Sequence, residues 1–234
     1  MDKPLSVVII TKNEERNIRD ALVSSDFADE IIVLDSGSDD RTCEIAKEHG
    51  ALVEYSAWLG YGQQKNKAVS FTKNDWVLVI DADERIPNKL KVEIQKILEN
   101  PVFHGYRIPR LNSFFGKYIK HGGLYPDYTV RLFNKKFGRF TDSVVHEKVE
   151  VLGPVGTIQN HLIHYAFSSV TDFYQTQNKY AILSVKKKSR LKAFFSPLWV
   201  FIKIYFLRFG FLDGWRGLII AIVYAIYTFR KYAK

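Results

Sequence analysis

The sequence predicts an α/β fold, a mostly parallel sheet with helices on both faces, followed by an amphipathic helical tail. Three observations carry that prediction. Continuous apolar runs recur through the first hundred of the 234 residues, and such runs read as strands buried on both faces. Each run is followed by a polar loop and a helix-length segment, the rhythm of βαβ units. The basic excess lies at the end of the chain. Of 34 Lys/Arg and 25 Asp/Glu, eleven basic residues and one acid, Asp213, lie from Lys186 onward. The net charge of +9 is therefore carried by the tail, and the body is near neutral.

The elements follow in order. Leu5 to Thr11 is a first buried strand, and Lys12 to Asn17 is a polar loop entering a helix that ends near Ser24. Glu30 to Asp35 is the second strand. Ser36-Gly37-Ser38-Asp39-Asp40 is a turn in which Ser38 or Asp39 is placed to cap the helix from Arg41 to His49, with Gly50 ending it. Ala51 to Tyr55 is a short third strand, and Gln63 to Phe71 a helix. Trp76 to Asp81 is the fourth strand, and Pro87 opens a helix running to about Glu99. Beyond Asn100 short strands are expected at Gly105 to Arg110, Thr129 to Phe133 and Val145 to Val149. A long glycine-bearing loop runs from Asn112 to Asp127, the length of a functional lid. Val170 to Lys192 returns to helix.

The chemistry concentrates where strands end. Trp76-Val77-Leu78-Val79-Ile80 closes in Asp81-Ala82-Asp83-Glu84. Side chains two apart on a strand share a face, so Asp81 and Asp83 are expected to project together at the carboxyl edge of the sheet, where open α/β sheets bind ligands. Adjacent like charges repel, and a cation relieves them. Oxygen ligands in a half-open site suit Mg²⁺ or Mn²⁺ and a phosphate-bearing substrate; the alternative is an acidic turn after a core strand. Asp35 ends its own strand on the same edge, to accept hydrogen bonds from a nucleoside or to cap the next helix. No G-x-G-x-x-G follows the first strand and no G-x-x-x-x-G-K-[ST] occurs, which excludes the usual dinucleotide and P-loop sites.

Val7 to Glu14, Val33 to Asp40 and Val79 to Glu84, in this order and spacing, resemble the family 2 inverting glycosyltransferases. The resemblance implies a GT-A fold and a nucleotide-sugar donor. It implies that Thr11, Asn13 and Glu14 line the donor site and that Asp35 contacts the uridine part. It also implies that Asp83, with Asp81 beside it, holds a divalent metal under the diphosphate. Lys65-Asn66, after Gly62, resembles the basic segment lining the nucleotide pocket. Arg131-Leu132-Phe133, Val145-His146-Glu147, Ile163-His164-Tyr165 and Gly210 to Gly214 resemble the branch that adds glucose to the inner-core heptose of lipopolysaccharide. UDP-glucose is then the expected donor and a lipid-linked glycan the acceptor, with a polyprenyl phosphate acceptor or a non-catalytic adaptor as alternatives.

An inverting transfer needs a base for the acceptor hydroxyl. Glu147 is the candidate and Asp142 the second choice, since the chain lacks the Glu-Asp pair common at this position. His146, His161 and His164 cluster late. His164 is a third metal ligand, a diphosphate contact or a structural residue. Arg131 pairs either a phosphate, bidentately, or Asp127 or Glu147.

The tail divides the chain into a catalytic domain over 1–185 and a membrane-association segment over 186–234. Trp199 to Phe209 is apolar but broken by Lys203 and Arg208. The thirteen residues from Gly217 to Phe229 fall short of the about 20 that span a bilayer. Aromatic and basic residues interleave, as in helices lying in a membrane interface, and Lys186-Lys187-Lys188-Ser189-Arg190 makes the first contact. The alternative is a hairpin covering the core of the main domain, or a dimer interface. The tail is too apolar for nucleic acid. One cysteine, Cys43, allows no internal disulfide. The N-terminus shows no secretory pattern, so the expected location is cytoplasmic, on the inner face of the inner membrane.

Overall fold

The first strand, β1 (Leu5–Thr11), is buried along its whole length, as an apolar β-branched run inside a sheet must be. The computed structural model describes residues 3–142, 147–167, 169–183 and 189–233. They form two compact units, Met1–Arg110 with Asp127–His164 and Leu111–Pro126 with Tyr165–Lys234.

In the first unit β1 leads to α1 (Ile18–Ser24), β2 (Glu30–Asp35), α2 (Thr42–Glu48), β3 (Leu52–Tyr55), α3 (Tyr61–Ser70), β4 (Trp76–Asp81), β5 (Glu84–Arg85) and α4 (Asn88–Glu99). Strands β3, β2, β1 and β4 lie side by side and parallel. Thr11 pairs with Asp35 and Ile10 with Asp81, so the three carboxyl ends finish on one edge. One face of these strands (Val7, Ile9, Val33, Leu78) packs on Ile18, Leu22, Ile45, Leu90 and Ile94 of the helices. The other face (Val8, Ile10, Ile32, Val77) packs on Ala68 and Val69 of α3 and on Phe133 and Phe140. Helices on both faces of a parallel sheet are the expected arrangement.

The sheet then continues with β6 (Gly105–Phe114), β8 (Asp127–Asn134) and β12 (Leu162–Phe167), ending on β5; β8 runs antiparallel to β4 and to β6. β6 outlasts its expected end at Arg110. It turns at Phe115 and Gly116, both at positive φ, into β7 (Lys117–Tyr118). The first part of the expected Asn112–Asp127 loop is thus a hairpin, because a two-residue turn with positive φ matches strand twist. β9 (Gly138–Phe140) and β10 (Val149–Val151) make a separate ribbon, and β11 (Gly156–Thr157) lies along β6. Of the strand expected at Val145 to Val149, only the last position is in β10; Val145 and His146 lie outside the described residues.

In the second unit α5 (Val170–Leu183), α6 (Arg190–Ile202) and α7 (Trp215–Ala233) bury Phe173, Ile204, Ile220, Ala221 and Val223 with Phe114 and Ile119. A π-helical turn over Lys203–Leu207 and a 3-10 turn over Gly210–Asp213 join α6 to α7. Gly217 is required there: a Cβ on it would sit 1.9 Å from the Gly210 carbonyl oxygen. The tail helices thus pack on a core of their own unit. Phe194, Phe195, Leu198, Trp199, Phe206, Leu207, Phe209 and Trp215 remain exposed, with Lys192, Lys203 and Arg208 exposed among them. No helix among the described residues is long and apolar enough to cross a membrane. Lys186-Lys187-Lys188 lie outside the described residues.

Candidate active site

The edge begins with two loops laced together. The Asn13 amide donates to Ser38 Oγ at 2.8 Å, and the Asp39 amide donates to Asn13 Oδ1 at 3.0 Å. The Glu14 amide donates to Thr42 Oγ1, and the Glu15 amide to Asp40 Oδ2. Asn13 sits at φ 55, a left-handed position that Asn tolerates better than most residues. Asp35 is buried and organises its own turn: Oδ2 accepts from the Gly37 and Ser38 amides at 2.8 Å, and Oδ1 from Ser38 Oγ. Neither Ser38 nor Asp39 caps α2: Arg41 holds the cap position, and just before it Asp40 Oδ1 accepts from the Thr42 amide at 2.9 Å. Ser38 and Asp39 are both engaged with the β1 loop. Thr11 Oγ1 is buried with no hydrogen-bond partner among the described residues.

At the end of β4 the structure departs from simple strand alternation. The strand stops at Asp81, and Ala82 and Asp83 form a turn, so the two carboxylates acquire separate partners. Asp81 Oδ1 lies 3.0 Å from Lys65 Nζ and Oδ2 lies 2.8 Å from an Arg131 guanidinium nitrogen. Both oxygens of Asp81 are occupied by the protein's own cations, which relieve the repulsion that pointed to a metal there. Burial alone raises the Asp81 carboxyl, but Arg131 and then Lys65 outweigh it and hold it well below the usual carboxylate range. Glu84, fully buried, takes the same Arg131 nitrogen at 2.7 Å and the Asp81 amide at 2.9 Å. Burial disfavours the Arg131 cation, and Asp81 and Glu84 reverse this and raise its pKa. Neither Asp127 nor Glu147 is its ion-pair partner. Asp127 pairs with Arg110 at 2.7 Å and Glu147 with Lys65 at 2.9 Å.

Asp83 Oδ2 lies 3.2 Å from His164 Nε2. The pairing of β5 with β12, which sets His164 opposite Glu84, makes this meeting possible. A carboxylate oxygen and an imidazole nitrogen, both part-exposed, are a donor set that Mn²⁺ or Mg²⁺ accepts. No group of three or more such side chains occurs among the described residues, so a cation held here needs ligands from elsewhere. Asp83 and His164 fit the expected metal; Asp81, in this geometry, does not. Burial also raises the Glu14 carboxyl, countered by Asn17 and reinforced by the nearby Asp83.

Lys65 is 2% exposed and bridges Asp81 and Glu147. Gly62 on the same helix permits this closeness, since a Cβ there would meet the Thr141 carbonyl oxygen at 2.0 Å. Asn66 spends its amide on the main chain of Phe140, donating to its oxygen and accepting from its nitrogen at 2.9 Å each. It thereby clamps β9 rather than presenting a free amide. Thr141 and Lys148 exchange hydrogen bonds and close the segment carrying Glu147 and the exposed Asp142. Glu84 and Arg110 were not singled out from sequence. Glu84 was visible as the third carboxylate of its cluster, whereas Arg110 reaches it only because β6 and β8 fold beside β4.

A family model described as glycosyl transferase family 2 matches residues 6–149. An uncharacterized glycosyltransferase of Rickettsia typhi is 35% identical over 99% of this chain and 86% of its own length. The lipopolysaccharide core biosynthesis glycosyltransferase LpsC of Rhizobium meliloti is 31% identical over 99% of this chain and 91% of its own. Among solved structures, Staphylococcus aureus TarS matches with a TM-score of 0.50 at 16% identity, over 76% of this chain and 39% of that one, a likeness of fold alone. The chain belongs to glycosyl transferase family 2, with a GT-A fold.

Proposed function

We propose that this glycosyltransferase moves glucose from UDP-glucose, with inversion, onto a lipid-linked glycan, the inner core of lipopolysaccharide. The observation that carries the reading is the convergence of Asp35, Asp81 and Asp83 at one edge of three parallel strands. The Rhizobium relative, a lipopolysaccharide core biosynthesis glycosyltransferase, supports the acceptor class. Thr11, Asn13, Glu14 and Asp35 line the nucleoside end; the buried, unpartnered Thr11 Oγ1 offers a hydrogen bond there. Asp83 and His164 would hold a divalent cation, which would supply positive charge to offset that on the leaving diphosphate. Arg131 and Lys65 fix Asp81 and add positive field on the same edge. Lys65 also holds one oxygen of Glu147. The other oxygen takes the acceptor proton as the acceptor oxygen bonds to the anomeric carbon and the bond to the diphosphate breaks. Asp142 is the second choice for that base.

The exposed aromatic and basic residues of the second unit support peripheral attachment to an anionic membrane, where a lipid-linked acceptor resides. The test is UDP release from UDP-glucose by purified protein with detergent-solubilised inner-core acceptor, with and without chelator. Acceptor-dependent release abolished by chelator and by Asp83→Ala is expected. UDP binding without release reassigns the sugar or acceptor, and absence of both removes the donor assignment.

A further inference from the structure

We propose that His121 and Arg208, in the second unit, form a site for the phosphate of a lipid headgroup. The inference rests on the membrane reading above and adds to it a specific ligand.

Asp213, 4% exposed, grips His121 twice: Oδ2 accepts from the His121 amide at 3.0 Å, and Oδ1 lies 3.1 Å from Nδ1. Asp213 takes the Nδ1–H and fixes the ring, which leaves the Nε2–H of the protonated imidazole to donate to a phosphate oxygen. The next residues seat Arg208. The Gly122 amide donates to the Arg208 carbonyl at 2.8 Å. The Arg208 side chain crosses Gly123 so closely that a Cβ there would lie 2.2 Å from a guanidinium nitrogen. Asp213 and Arg208 thus bring an oriented imidazole and a guanidinium to one short segment, 121–123. Among the described residues no carboxylate pairs with Arg208, in contrast to Arg131 and Arg110 of the first unit. A guanidinium fork with its donors open matches phosphate oxygens two at a time.

The surroundings choose the source of that phosphate. Phe206, Leu207, Phe209, Phe211 and Leu212, on either side of Arg208, are 43–57% exposed. A soluble anion gains nothing from such a rim, whereas a lipid phosphate lies at the depth where aromatic rings and arginine heads meet the headgroups. His121 carries no part of the transfer step proposed above.

Vesicle co-sedimentation of the full chain tests this. Phosphatidylcholine vesicles carry either phosphatidic acid or oleic acid at matched surface charge, so that only the anionic group differs. Wild type is expected to favour phosphatidic acid. Arg208→Gln should lose about tenfold in affinity for phosphatidic acid, about 1.4 kcal/mol, and less for oleate. His121→Gln should lose part of the same preference. Lys203→Gln, an exposed neighbour, should lose equally on both. Glycerol 3-phosphate should displace wild type from phosphatidic acid vesicles. Equal losses for Arg208→Gln on both lipids, or none, overturn the site while leaving membrane attachment standing. Binding of glycerol 3-phosphate through Arg208 without any lipid preference overturns the lipid source. Failure of wild type to sediment with either vesicle overturns the membrane reading and the lipid source together.

Discussion

Lys65, Glu84 and Arg131 of the first unit are at most 3% exposed, whereas Phe194, Trp199 and Phe209 of the second are more than half exposed. Each unit inverts the ordinary allocation of residues, in opposite directions. Buried charges cost several kcal/mol each unless paired, and here Asp81, Glu84, Arg131, Lys65 and Glu147 pair in a chain. That expense holds side chains in fixed positions at a sheet edge before substrate arrives. Exposed aromatic rings gain nothing in water and need a partner surface. One unit fixes its charged side chains by pairing, and the other leaves aromatic side chains exposed.

The comparison can be broken at several points. Glu84→Ala strips the buried partner from Arg131 and is expected to cost about 3–5 kcal/mol of stability, read as a shift in the urea midpoint of the first unit. An unchanged midpoint means that the network is not structural. Phe194→Ser with Phe195→Ser should leave that midpoint alone and weaken vesicle binding by roughly 10²- to 10⁴-fold, at about 1.5–3 kcal/mol per buried ring; full binding by this double variant contradicts attachment through α6. Glu147→Gln is expected to lower kcat about 10²-fold or more with little change in donor KM, and Asp142→Asn to leave kcat within a few-fold. The reverse pattern transfers the base role to Asp142.

The smallest effect is in acid. The folded-state carboxyl of Asp81 lies below its unfolded value near about 3.9. Its contribution is therefore complete above that unfolded value and is lost as pH falls toward the folded one. Wild-type stability should fall below about pH 4 more steeply than that of Asp81→Asn, which is itself less stable at pH 7. Parallel pH curves for the two proteins would contradict the Arg131 and Lys65 pairing.

The parallel half of the sheet was legible because β1, β2 and β4 are apolar runs rich in Val and Ile, and their loops supply turn residues of narrow preference. The carboxylates at their ends were legible for the same reason. Their partners were not. Arg131 meets Asp81 across a sequence separation of 50 through antiparallel pairing, and local patterns carry no such information. Alternation placed Asp83 beside Asp81 only while the strand lasted, and it ends one residue after Ile80. The tail's composition pointed to an interface, but it did not single out Ile204, Ile220, Ala221 and Val223 as members of the second unit's own core.

The central claim is that Asp83 and His164, rather than Asp81, hold the cation that secures the donor diphosphate. UDP binding by calorimetry with and without Mn²⁺ tests it directly, in wild type, Asp83→Ala and Asp81→Asn. The account predicts Mn²⁺-dependent binding in wild type, loss of the Mn²⁺ dependence in Asp83→Ala, and its retention in Asp81→Asn. Mn²⁺-dependent binding that survives Asp83→Ala and vanishes in Asp81→Asn would contradict it.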